Sequence, residues 1–132
     1  MNFGTLLKNK MQTDANTAKK LESEKELPKS VAHIILEIVE YVPHTIARKT
    51  IIKKADNSLT AVSFDEGEIF CEKTTEEDTY VQVIDGKAEV TIGKKDFKLN
   101  LGESIIIPQN TMYCFIANEP FKLIITIIKS FT

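Results

Sequence analysis

The sequence predicts an all-β fold, a barrel or sandwich built from many short strands, and three observations carry that prediction. From residue 45 onward, short apolar segments recur at close and regular intervals. Gly, Asn and Asp clusters (ADNS, DEGE, IDGK, LGES, NEPF) separate them, and those residues enter turns because they tolerate left-handed backbone or hydrogen-bond their own chain. The segments are rich in Val, Ile and Thr, and most of them alternate apolar with polar residues, as half-buried strands do.

Taken in order, residues 1–29 are polar, rich in Lys and Glu, and close on ELPKS. They are expected to form an N-terminal extension, helical or without fixed structure, ahead of one domain spanning 30–132. SVAHIILEIVEYV, residues 30–42, fits either a helix, with Val31, Ile34, Ile35 and Ile38 on one face, or a strand. His33 and His44 flank it and read as surface or packing residues, since no further ligand stands at metal-binding spacing. TIARKTIIKK and LTAVSF then read as strands joined by ADNS. TYVQVI, AEVTI, FKLNL, IIIP, MYCFIA and KLIITIIK follow as further strands. IIIP and LIITIIK are almost continuously apolar, which predicts burial on both faces.

The 132 residues suit a single domain. A net charge of -2 provides no basic field, so nucleic acid is not an expected partner. The longest apolar run, LIITII, is too short to span a bilayer, so no membrane partner is expected either. Cys71 and Cys114 form no CxxC pair, and MNFGTLLKNKMQTDANTAKK lacks the apolar stretch of a secretory leader. These features predict separate thiols and a cytoplasmic location.

Within this frame, Gly67 and Gly86 stand at the spacing of the outer glycines of one motif, GEIFCEKTTEEDTYVQVIDG, and Gly102 and Pro108 open a second, LGESIIIPQN. Both motifs, with VQVIDGKAEVTIG and EPFKLIITIIK around them, resemble the small single-domain cupins over roughly residues 31–130. The resemblance implies a cupin-type double-stranded β-helix, the jelly-roll barrel, and a homodimer. It also implies metal ligands at four places, and there this chain carries Lys73, Thr75, Thr79 and Tyr113. Asn110 replaces a motif glycine, a tolerable exchange because Asn also adopts left-handed backbone.

An ammonium, two hydroxyls and a phenol are poor partners for a divalent ion, which favours imidazole and carboxylate. No metal and no other cofactor is therefore expected. If the barrel forms as implied, Lys73, Thr75, Thr79 and Tyr113 point inward, with Cys71 on the same face, and offer a grip for a small polar or anionic ligand. Packing alone is the plainer account of the same four residues: Lys73 reaching the barrel mouth and Tyr113 plugging it. A metal-independent sugar epimerase or isomerase using Lys73 and Tyr113 is a second functional class. A dimerising protein that uses segment 30–53 at a sheet edge is a third.

Overall fold

A computed structural model describes residues 22–23 and 25–129 of the chain. Ten strands run β1 (Glu22–Ser23), β2 (Ile46–Lys54), β3 (Asn57–Phe64), β4 (Ile69–Glu72), β5 (Asp78–Gly86), β6 (Ala88–Ile92), β7 (Lys95–Leu99), β8 (Ser104–Ile107), β9 (Tyr113–Ile116) and β10 (Phe121–Ile128). A single 3-10 turn, Ile35–Glu37, is the one helical element among the described residues. The strands form a six-stranded sheet, ordered β1-β2-β3-β10-β5-β8, and a four-stranded sheet, ordered β4-β9-β6-β7. All the pairings are antiparallel except that of β1 with β2. The all-β barrel expected from the punctuated strands is therefore the observed architecture.

The alternation reads directly as two faces. In β5, Thr79, Val81 and Val83 are buried while Asp78, Tyr80 and Gln82 are exposed. Register carries the same phase across the sheet, since Val81 pairs with Ile125 and Ile125 with Thr60. The inner faces of both sheets meet in one core around Phe64, Phe115 and Phe121. Phe64 stacks on Phe121 at 4.5 Å between ring centroids and meets Phe115 at 5.8 Å.

Turn chemistry falls where the punctuation predicts it. Gly86 adopts φ 73°, and a side chain there would run into the carbonyl of Pro120, so both the backbone and the space require glycine. Asn110 takes φ 60°, the left-handed backbone that made it an acceptable replacement for glycine.

Three expectations need correcting. IIIP is not buried on both faces: Ile107 is fully covered, but Ile106 is 63% exposed because β8 is an edge strand with one face to solvent. Segment 30–42 is neither a regular helix nor a strand. It is a strap over the outer face of the larger sheet, where Val39 packs with Ala47 and Ala61. Lys122 holds it there: its Nζ donates to the Leu36 carbonyl at 2.6 Å and lies 4.8 Å from the Tyr41 ring centroid. Tyr41 in turn donates to Asp85 at 2.7 Å.

The third correction concerns the cysteines. They were expected as separate thiols, but Cys71 and Cys114 are joined in a disulfide. They are directly opposed in the β4–β9 register, which brings their Cα atoms to 4.0 Å. The ground for inferring a reducing compartment from unpaired cysteines therefore falls away. No helix among the described residues is long and apolar enough to cross a membrane.

The described part of the lead runs along the sheet edge. β1 pairs with β2 at Arg48 and Lys49, Leu27 N–H donates to the Ile51 carbonyl, and Glu26 Oε2 accepts from Lys53 N–H at 2.8 Å. The expected helical or unstructured extension spanned residues 1–29: its described part instead forms β1 and lies along the β2 edge, and the rest lies outside the described residues.

Candidate functional site

One end of the barrel interior is filled by Val83, Ala88, Leu99, Ala117 and Leu123. The other end holds a cavity of about 390 Å³. Its floor is apolar, made by Val62, Phe64, Phe115, Ile125 and Ile127. Polar groups enter from three directions: β2 supplies Arg48, β9 supplies Tyr113, and β4 with the loop after it supplies Glu72 and residues 74–77. Thr79, from the start of β5, completes the wall.

Each polar group is placed by strand phase. In β2, Ile46 is fully buried, so Arg48 two residues later shares the inward face. Its guanidinium carbon lies 5.0 Å from the Phe70 ring centroid, a cation–π contact that fixes the side chain's orientation. Arg48 makes no hydrogen bond or ion pair with any described residue, so its N–H fork is available to the cavity. Tyr113 is 7% exposed and is packed edge-on against Phe115 at 5.5 Å. Its hydroxyl has no protein partner among the described residues. Burial, and then the negative charge of Glu72, push the phenol up to about 12, while Arg48 pulls the other way. At neutral pH Tyr113 is a protonated donor.

The two threonines are already committed as donors. Thr75 Oγ1 donates to the Pro108 carbonyl at 3.2 Å and Thr79 Oγ1 to the Glu77 carbonyl at 3.4 Å. They show the cavity lone pairs only. Gln109 N–H donates to Asp78 Oδ1 at 2.9 Å, and Asn110 N–H to the Thr75 carbonyl, so the 73–78 loop is tied to the turn after β8.

Of the four residues singled out by sequence, Thr75, Thr79 and Tyr113 line the cavity and Lys73 does not. The motif spacing set the phase of β4 one residue out. The inward face carries Phe70 and Glu72, opposite Phe115 and Tyr113, and the strand ends at Glu72. Lys73 lies beyond it, exposed. Cys71, expected on the cavity face, lies on the outer face in the disulfide. Arg48 and Glu72 were missed. Both were legible: Ile46 fixes the inward phase of β2, and Phe70, the bulkiest apolar side chain of β4, fixes the inward phase of that strand.

The donor set does not suit a divalent metal. No imidazole reaches the cavity, the phenol keeps its proton, and Arg48 adds a positive charge. Among the described residues, no group of three or more His, Cys, Asp or Glu side chains is arranged to hold an ion. His33 and His44 are exposed; His33 Nε2 contacts the Pro28 carbonyl, and the His44 backbone N–H is capped by Asp65. Nor does the geometry assemble an acid–base pair from Lys73 and Tyr113, because Lys73 is outside and the phenol is raised rather than lowered.

No family model matches the chain, and no curated protein matches it. Solved structures do. A conserved protein of unknown function from Streptococcus pyogenes superposes with a TM-score of 0.75 at 19% identity, covering 82% of this chain and 95% of that one. A cupin superfamily protein from Desulfitobacterium hafniense gives 0.73 at 17% identity, covering 80% and 97%. A Cupin 2 conserved barrel domain protein from Leptotrichia buccalis gives 0.67 at 29% identity, covering 71% of this chain and 46% of that one. The chain has the cupin-type barrel fold, the fold of these structural neighbours.

Proposed function

We propose that this barrel binds a small polar ligand in its cavity without a metal ion. The observation that carries the reading is the pairing of an apolar floor with two donors that have no hydrogen-bond partner among the described residues, the Arg48 guanidinium and the Tyr113 hydroxyl. Binding sites are built this way, with a largely apolar concavity and a few polar groups that fix orientation. The anionic character first expected of the ligand rested on Lys73; Arg48 takes over that role, and its planar fork suits a carboxylate better than an ammonium does. Nothing in the cavity supports turnover over binding. The test is a thermal-shift screen of small polar compounds against the wild type and Arg48→Gln. Stabilisation by at least one compound, lost in the variant, supports the reading. Equal stabilisation of both proteins by every hit contradicts it.

A homodimer is the second reading, and a specific feature favours it. On the outer face of the larger sheet, Ile106, Tyr80, Thr126, Leu59 and Ile52 are successive register partners across five strands. Ile106, Tyr80 and Ile52 are 63%, 38% and 44% exposed, so the row is a flat apolar band of the kind a second copy covers. Light scattering on Ile106→Lys checks it: a wild-type dimer that becomes a monomer supports this surface, and a wild-type monomer at high concentration excludes it.

A further inference from the structure

The cavity carries charges of both signs that do not neutralise one another. Among the described residues, Arg48 is the only cation in its lining, while Glu72, Glu76 and Glu77 supply three carboxylates. None of the three forms a close ion pair with Arg48 or with any other described residue, although Glu76 and Glu77 lie within electrostatic reach of Lys129. The donors and acceptors are also segregated. Arg48 on β2 and the Tyr113 hydroxyl on β9 can only donate to a ligand at neutral pH. Glu72 and the loop of Glu76 and Glu77 can only accept, and so can the hydroxyl oxygens of Thr75 and Thr79, whose hydrogens are already used.

A simple anion would meet one guanidinium among three carboxylates, which offset the attraction of Arg48 even though the exposed Glu72 and Glu76 are partly screened by solvent. A simple cation would gain the carboxylates but leave the Arg48 fork and the hydroxyl of the buried Tyr113 with no acceptor from the ligand. A ligand that carries both groups satisfies both walls. Resting on the binding reading above, we infer that the cavity is a site for a small zwitterion, an amino-carboxylate whose carboxylate sits on Arg48 and Tyr113 and whose ammonium faces Glu72 and the 76–77 loop. The apolar floor of Phe64, Phe115 and Ile125 takes the hydrocarbon between the two charges. Phe70 backs the guanidinium, so the carboxylate approaches from the open side.

The experiment is a heteronuclear NMR titration of the full chain with matched probes. The zwitterions are leucine, 4-aminobutyrate and 6-aminohexanoate. Each is paired with the carboxylic acid lacking the amine, the amine lacking the acid, and the hydroxy acid. The inference expects at least one zwitterion to bind tenfold or more tighter than all three of its matched partners, with shifts at the Arg48 side-chain N–H and around Tyr113. Arg48→Gln should weaken zwitterion and acid together. Glu72→Gln, an exposed and fold-neutral change, should weaken zwitterion and amine but strengthen the acid. If a hydroxy acid or plain acid binds as tightly as its zwitterion, the class is wrong while the pocket reading stands. If no probe of any class shifts these residues, both fail. Should Arg48→Gln not fold, Glu72→Gln and the wild-type ranking still decide the matter.

Discussion

The disulfide between Cys71 and Cys114 makes the sharpest stability prediction. β4 is an edge strand, held by four register pairs to β9 alone. The cross-link closes a loop of 43 residues. Chain-entropy reasoning gives about 13 cal/mol/K of denatured-state entropy removed by such a loop, or about 4 kcal/mol at room temperature. Measured values for native disulfides fall at about 2–5 kcal/mol, so the working expectation is a loss near the upper part of that range on reduction. With a urea m-value of about 1.5 kcal/mol/M, the unfolding midpoint should fall by about 2–3 M. The assay compares urea melts of oxidised protein, protein reduced with dithiothreitol, and the Cys71→Ala/Cys114→Ala double variant. Reduced and double-variant proteins should melt together and well below the oxidised form, and the oxidised protein should show no titratable thiol. Two free thiols in unreduced, folded protein, or a midpoint unchanged by reduction, would refute the reasoning.

Three further outcomes follow from particular contacts. Gly86→Ala forces a left-handed backbone on alanine and drives its side chain at the Pro120 carbonyl; it should cost at least about 2 kcal/mol by urea melt. Lys122→Met keeps the hydrocarbon but loses the hydrogen bond to Leu36 and the Tyr41 contact, so stability should fall by about 1–3 kcal/mol. Hydrogen exchange should then quicken at Ile38 and Val39 in the strap. Tyr113 should ionise near pH 12 by ultraviolet titration. Because its pKa is raised on folding, the folded state holds the proton longer than the unfolded state. Stability is unaffected by this group below pH 10 and declines between pH 10 and 12 by up to about 1.4 kcal/mol per unit. Tyr113→Phe should reduce that decline, and Tyr41, whose phenol is also pushed up by burial and by Asp85, should retain the rest.

The strands were legible because alternation and turn chemistry are local properties. Thr79, Val81 and Val83 alternate with Tyr80 and Gln82 in the sequence itself, and Gly86 and Asn110 sit where the backbone must turn left-handed. What alternation leaves open is which of two faces points in, and β4 shows the consequence. It is four residues long, and its burial pattern has little contrast, from exposed Ile69 and Glu72 to half-buried Phe70 and Cys71. Spacing taken from Gly67 placed Lys73 inside, whereas packing of Phe70 against Phe115 and Tyr113 placed Glu72 there. The exposed Ile106 was misjudged for a related reason, since a run of three isoleucines does not say that its strand is at a sheet edge. The disulfide depends on long-range register, which pairs residues 43 apart and leaves no local trace in the sequence.

Calorimetric titration with zinc, nickel and manganese ions tests most directly the claim that Arg48, Tyr113 and Glu72 serve an organic ligand and not a divalent ion. The account predicts no one-to-one binding in wild-type protein and no change in Glu72→Gln. A stoichiometric ion bound at micromolar affinity or tighter, and lost in Glu72→Gln, would contradict it.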